Sequence, residues 1–243
     1  MKIAIISDIH GNFLALERVL GDIAREQIAQ IICLGDVAFG GAQPLECLRG
    51  LKELNCPVIM GNADEFLLNV PTPDPNNAND SVIVERTLWA IVQCTRADFD
   101  FVKSFEPRKE IALMNEQKLL CYHGAPQSNE EIILATTPDE DLAKKLGDAR
   151  ATVMAGGHTH TQMFRRFQNC ILINPGSVGM PIQRDARGKM QRPPFGEYAI
   201  LRAEDNQLAI EFRRVPLDVD AIVRAIRASG IPHAEKLAKE WEN

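Results

Sequence analysis

Short, β-branched apolar runs at 2–6, 29–34, 57–60, 117–122, 151–155 and 170–173 predict buried strands, with further candidates at 110–114, 197–202 and 207–213. Between the first two runs, Leu16, Val19, Leu20 and Ile23 recur at helical spacing and predict a helix over 12–26. Leu45, Leu48, Leu51 and Leu54 repeat the pattern over 44–54. Strand, helix, strand, helix, strand within the first 60 residues describes parallel βαβ units. The later half reads differently: 110–122 and 163–173 look like hairpins turning at Asn115-Glu116 and Gln168-Asn169, which predicts a second, mixed sheet. Two Pro-rich stretches, Pro71 to Asn79 and Met180 to Gly196, read as surface loops of functional length. With no repeat and no long linker, one domain is expected across 1–243.

Composition narrows the classes. At 45% apolar and 25% charged, 243 residues can bury a substantial core, so disorder and collagen are excluded. The 33 acidic residues outnumber 27 basic ones, a net charge of -6 that disfavours nucleic acid as a bulk partner. The N-terminal apolar run is too short for a signal peptide, which needs roughly 7–15 residues, and nothing approaches the roughly 18 of a membrane span. A cytoplasmic protein without a membrane partner is expected. The 6 cysteines form no Cys-x-x-Cys pair and several lie in apolar runs, so reduced core cysteines are expected in place of disulfides or a thiolate zinc site.

The histidines carry the candidate chemistry. Four of the 5 follow predicted strands directly, beside Asp, Gly or another His. Asp8-Ile9-His10 follows the first strand, and Asp and His at i and i+2 of extended backbone project from one face, ready to share an ion. Gly35-Asp36, Gly61-Asn62, His123-Gly124 and Gly156-Gly157-His158-Thr159-His160 each follow a later strand. The ends of such strands are where open α/β sheets build their sites. Any one of these is also an ordinary turn glycine with a capping side chain. Five in this order are hard to explain that way.

In that order the motifs resemble the calcineurin-like metallophosphoesterase superfamily, and Asn174-Pro175-Gly176-Ser177-Val178-Gly179 resembles a further signature of its small bacterial phosphodiesterase branch. The resemblance implies an α/β fold, a four-layer α/β/β/α sandwich with two facing mixed sheets. It implies that Asp8, His10 and His160 hold one metal, that Asn62, His123 and His158 hold another, and that Asp36 bridges them. Carboxylate, imidazole and amide together suit two divalent first-row ions, Mn²⁺ first and Fe, Ni²⁺ or Zn²⁺ as alternatives. The chemistry implied is hydrolysis of small phosphorylated substrates, phosphodiesters foremost, by direct attack of a metal-bridging hydroxide, with Asp36, Asn62 and His123 catalytic.

One departure matters. Many relatives read Gly-Asn-His-Asp or Gly-Asn-His-Glu where this chain reads Gly61-Asn62-Ala63-Asp64, so the family's leaving-group histidine is missing, as it is in the small phosphodiesterase branch. Asp64 is then either a helix-start carboxylate or a participant in proton transfer. Asn12 is either a helix cap or a substrate contact, and Trp89 reads as core. Arg184, Arg187 and Arg192 make the 180–196 loop basic within an acidic chain and are candidates to hold a substrate phosphate. His233 reads as a surface residue at a helix start, and Pro138 to Asp141 as another helix start. The alternatives in other classes are a protein-interaction scaffold on the same fold, a phosphomonoesterase or protein phosphatase, and a nuclease. The oligomeric state is left open.

Overall fold

The structure, a computed structural model, describes residues 1–74, 76–204 and 207–242. In chain order the elements are β1 (Lys2–Ile6), α1 (Phe13–Ile23), β2 (Gln30–Cys33), α2 (Pro44–Leu54), α3 (Asn62–Leu68), α4 (Ala78–Ile91), α5 (Arg96–Lys103), β3 (Arg108–Ala112) and β4 (Lys118–Tyr122). They continue with α6 (Asp139–Leu146), β5 (Val153–Ala155), β6 (Met163–Phe167), β7 (Cys170–Asn174), β8 (Gln183–Arg184), β9 (Met190–Gln191), β10 (Phe195–Glu204), β11 (Gln207–Pro216), α7 (Val219–Ala228) and α8 (Ala234–Trp241).

β1 shows how the sequence sets the layers. Successive strand side chains point to opposite faces, and both faces of this strand are apolar and fully buried. Ile3 and Ile5 join Ile32, Leu119, Val153 and Ile173 in a core between two sheets, while Ala4 and Ile6 face Leu16 and Val19 of α1 and Leu48 of α2. Each fully buried Ile or Leu of that middle core contributes about 1.5–3 kcal/mol relative to exposure. The first sheet runs β11-β10-β1-β2 and the second β3-β4-β5-β7-β6. α6 packs through Leu142 and Leu146 on the outer face of the second sheet, against Leu120, Met154 and Leu172. The order is therefore helix, sheet, sheet, helix, the four-layer α/β sandwich expected. Both sheets are mixed, with β1 parallel to β2 and antiparallel to β10, and β4, β5 and β7 parallel to one another.

Both hairpin turns fall at the expected dipeptides. Asn115 (φ 56°) and Glu116 (φ 60°) are left-handed, as a tight hairpin turn requires, and Gln168 (φ 51°) plays the same part between β6 and β7. The stretch 57–60 is a correction: it makes only isolated bridges, Val58 to Cys33 and Ile59 to Glu106. Pro57 has no N–H to give a ladder, and the chain turns at Gly61 straight into α3. α1 ends at Ile23, short of the predicted 26, and α3, α4 and α5 were not foreseen because they lack a clean apolar stripe or sufficient length. Of the loop expected from Pro71 to Asn79, Pro75 lies outside the described residues, and the end is already helix, capped by Asn77. The expected loop from Met180 to Gly196 holds a small ribbon of β8 and β9, pinned by the Asp185 carboxylate, which accepts from the Arg187 and Lys189 N–H groups. α7 and α8 pack on Leu14, Ala42 and Trp89, so Trp89 is core. The 6 cysteines are all free thiols, and no helix among the described residues is long and apolar enough to cross a membrane.

One edge of the sandwich collects the C-terminal ends of β1, β2, β4, β5 and β7. Because β6 and β10 run antiparallel to their neighbours, their first residues lie at this edge too, as does the last part of β11.

Candidate metal centre

Each parallel strand delivers its motif to that edge through a sharp turn. Asp8 (φ 55°), His10 (φ 49°), Asp36 (φ 54°), His158 (φ 69°) and His160 (φ 56°) all occupy the left-handed region, which costs a non-glycine residue on the order of 1–3 kcal/mol. Strain of this kind persists only where surrounding structure over-determines it, and here backbone bonds do so: Asp8 N–H donates to Gly35 O and His10 N–H to Asp36 O. Two glycines are demanded by crowding. A Cβ on Gly61 would lie 2.1 Å from Asp36 Oδ1, and one on Gly157 would lie 2.0 Å from Ser7 Oγ.

The result is two groups of convergent ligand atoms, Asp8, His10, Asp36 and His160 in one and Asp36, His123 and His158 in the other. Asp36 belongs to both: its Oδ2 lies 3.4 Å from His10 Nε2 and 3.3 Å from His123 Nε2, while Oδ1 accepts from Ala63 N–H at 2.9 Å. Asn62 joins the second group, its Oδ1 being 3.1 Å from His123 Nε2. The structure thus brings together all seven side chains of the expected ligand set.

The histidines are oriented from behind. His10 Nδ1 donates to Phe39 O, His123 Nδ1 to Leu34 O and His160 Nδ1 to Met180 O, at 2.7–2.8 Å. Each bond places the ring proton on Nδ1 and turns the Nε2 lone pair into the site. His10 Nε2 and His160 Nε2 then face each other at 2.9 Å, where two lone pairs repel unless a positive species lies between them. The titration directions agree. Burial and the neighbouring His160 push His10 down to about 4, whereas His160 is raised because Asp8 outweighs its own burial. Burial opposes protonation of His123 as well, but Asp36 and Asp8 carry it up to about 10. Asp8 and Asp36 are both held below the usual carboxylate range: burial raises them, and the histidines, His160 for Asp8 and His123 for Asp36, more than offset it. Buried nitrogens and carboxylates that demand positive charge fit a divalent cation, and the oxygen and imidazole donors fit a borderline first-row ion.

Two supports surround these ligands. The Asp64 carboxylate accepts from Asp36 N–H and Val37 N–H at 2.8 Å and from Gly61 N–H at 3.0 Å, so it fixes the turn that carries Asp36 and is pushed up to about 7 by burial and by Asp36. It is the helix-start carboxylate of the first reading, with its partners extended to another loop. The segment Asn174 to Gly179 is the second: the Asn174 amide donates to Gly157 O and Thr159 Oγ1, Ser177 Oγ donates to Asp8 O at 2.7 Å, and Gly179 N–H also reaches Asp8 O. The sequence marked that segment as a signature but held no sign of this bracing role. The backbone carbonyls of Phe39, Leu34 and Met180 were equally invisible, since every residue has one.

The remaining candidates make their bonds to other groups. Asn12 caps α1, its Oδ1 accepting from Ala15 N–H and its Nδ2 donating to Gly179 O, so both ends of the amide are used within the protein. Arg192 is spent on Glu240 at 2.8 Å and on Met180 O at 3.0 Å. Arg187 is exposed in the turn of the ribbon, and Arg184, also exposed, donates to Gly188 O. His233 caps α8 at the surface beside Glu85, as expected.

The fold and this cluster together define a metallophosphoesterase class. The pattern of the calcineurin-like phosphoesterase superfamily domain matches residues 1–206, and the chain belongs to that superfamily. It is 30% identical, over 95% of its length and 93% of the other, to an uncharacterized protein of Methanocaldococcus jannaschii. Among solved structures it is similar to a metallophosphoesterase from Sphaerobacter thermophilus, with 25% identity, a TM-score of 0.78 and coverage of 100% of this chain and 98% of the other. A hypothetical protein from Pyrococcus horikoshii shares the fold at a TM-score of 0.80 and 17% identity, covering 98% and 96%. Family and cluster both suggest divalent metal binding.

Proposed function

We propose that the protein is a phosphoesterase that works with two divalent metal ions and acts on phosphodiester bonds of small molecules, as one domain in the cytoplasm. The observation that carries the reading is the position of Asp36 Oδ2, within 3.4 Å of a histidine nitrogen from each half of the cluster. Asp8, His10 and His160 would hold one ion, Asn62, His123 and His158 the other, and Asp36 both; Mn²⁺ is favoured over Fe, Ni²⁺ and Zn²⁺. When bound, such a pair supplies a nucleophile from water at neutral pH and stabilises charge on the phosphoryl oxygens.

The chain's own residues do the rest. The three Nδ1 bonds and the Asp64 cradle hold His10, His123, His160 and Asp36 in place before any ion arrives, which reduces the reorganisation that catalysis would otherwise require. Position 63 offers a methyl group, so no histidine there can give a proton to a departing oxygen. The phosphodiester preference rests on resemblance to the branch that shares this feature, and the acidic balance disfavours nucleic acid. The test is metal analysis after Mn²⁺ loading, with turnover of bis(4-nitrophenyl) phosphate, cyclic nucleotides, dinucleotide polyphosphates and phosphopeptides. Two ions per chain with diester turnover are expected. One ion with turnover intact defeats the two-metal reading, and a blank across all four substrates favours the scaffold.

A further inference from the structure

Beside the metal cluster, at the same edge of the sandwich, lies an open cleft of about 410 Å³ that none of the seven candidate ligands lines. Its walls are Thr161 and Gln162, which directly follow His160, the ribbon residues Ile182 to Arg184, and Phe195, Glu197 and Arg214 from the ends of β10 and β11. Ile182 N–H donates to His160 O, so wall and ligand loop are tied together.

Arg214 is the notable group. Its guanidinium lies over the Phe195 ring with Cζ 4.6 Å from the centroid, and its Nε donates to the Glu197 carboxylate at 3.1 Å. The ring beneath it and the bond through Nε restrain the guanidinium while the side chain stays 61% exposed. Glu197, by contrast, is buried. Neither terminal nitrogen of Arg214 has a protein acceptor within hydrogen-bonding distance among the described residues. Arg184 lines the same cleft and uses only one terminal nitrogen, on Gly188 O. Two guanidinium groups and one carboxylate therefore line the cleft, and that carboxylate is already engaged by Arg214. A planar fork held in place with its outer donors free is the arrangement that accepts a phosphate in bidentate fashion.

Resting on the phosphoesterase reading, we propose that this cleft is a subsite for a second phosphate of the substrate, gripped by Arg214 with Arg184, so that the preferred substrates carry another phosphate near the scissile ester. Arg184 was a candidate from the sequence. Arg214 was not, because nothing in its surroundings along the chain shows that Phe195 and Glu197 lie beneath it.

The experiment compares a nucleoside 5′-(4-nitrophenyl phosphate) with the same ester bearing a 3′-phosphate, using the Mn²⁺-loaded protein. Two charge-assisted bonds predict that kcat/KM favours the second ester by about 10–100-fold, mostly through KM. The preference should shrink as ionic strength rises, fall toward unity in Arg214→Gln and Arg184→Gln, and survive in part in Arg214→Lys, which keeps charge without the fork. A parallel binding measurement by calorimetry compares the nucleoside 3′,5′-bisphosphate with the 5′-monophosphate and expects the same order and the same loss. Equal kcat/KM for the two esters in the wild type, or a preference untouched in both glutamine variants, overturns the subsite. If neither ester is hydrolysed the phosphoesterase reading fails, and the calorimetric comparison decides the subsite by itself: tighter bisphosphate binding that Arg214→Gln abolishes supports it, and equal binding overturns it.

Discussion

The two halves of the metal cluster are built to different standards. In the half formed by Asp8, His10 and His160, all three side chains are buried, and both imidazoles are anchored through Nδ1. In the half formed by Asn62, His123 and His158, only His123 is buried and anchored; Asn62 and His158 are half-buried. His158 is tied down through its backbone, whose N–H donates to Asp8, more than through its ring. The difference teaches which part of the centre is pre-organised. The first half is a closed cage whose ligands have little else to do than meet a cation, and the second is the more open half, joined to the first through the shared Asp36.

The largest expected effect comes from removing what the halves share. Asp36→Asn keeps an acceptor for Ala63 N–H but takes the charge from both halves, so activity should fall by about 10³-fold or more, the loss of several kcal/mol of charge stabilisation. Metal analysis of the variant should show both ions weakened. Retention of two tightly held ions would mean that the halves do not depend on Asp36 together.

Next in size is the asymmetry itself. His158→Ala should weaken one ion by about 10–100-fold and leave the other in place, whereas His10→Ala should weaken the buried ion. Chelator titration followed by native mass spectrometry reads this directly, with one ion leaving the wild type well before the other. Simultaneous loss of both ions would erase the distinction.

Ala63 adjoins the open half. Across aryl and alkyl phosphodiesters of rising leaving-group pKa, the wild-type rate should fall steeply, since general acid catalysis is typically worth about 10²–10⁴-fold and position 63 supplies none. Ala63→His should flatten the series where its imidazole reaches the leaving oxygen. A flat wild-type series with chemistry shown to limit turnover would place a proton donor elsewhere.

The smallest effect isolates what burial does to a carboxylate without histidines. Asp8 and Asp36 are held low by their histidine partners, but for Glu197 burial prevails over Arg214 and the Ser177 backbone, pushing it up to about 7 from 4.5. The native state then binds its proton more tightly than the unfolded chain. Stability from this group is present below pH 4.5, falls as pH rises through about 7, and is level above that. Glu197→Gln should therefore raise Tm by about 2–4 °C at pH 8 for each kcal/mol relieved, and by less at pH 5. An equal shift at both pH values would show that Glu197 does not stay protonated in the fold.

What could be read before the fold was seen divides along physical lines. The strands β1, β4 and β7 and the helices α1 and α2 were legible because they bury one face or two and carry their periodicity with them. α3 to α5 were not, because their helicity is set by packing and capping, as with the Thr95–Asp98 box that starts α5. The order of Asp8, His10, Asp36, Asn62, His123, His158 and His160 was written in the chain, since each follows an apolar run, with a glycine or acid at a fixed offset. That Asp36 lies between His10 and His123, that Asp64 braces it and that Arg192 turns away to Glu240 were decided by tertiary structure. These are contacts between residues 26 to 87 apart in sequence, and local pattern says nothing of distance across a sheet edge. The sequence by itself determined the donor types and the loops that carry them. Only the fold decided the spacing between donors, which ring nitrogen faces inward and which arginines stay free, because those depend on carbonyls and neighbours that arrive from remote parts of the chain.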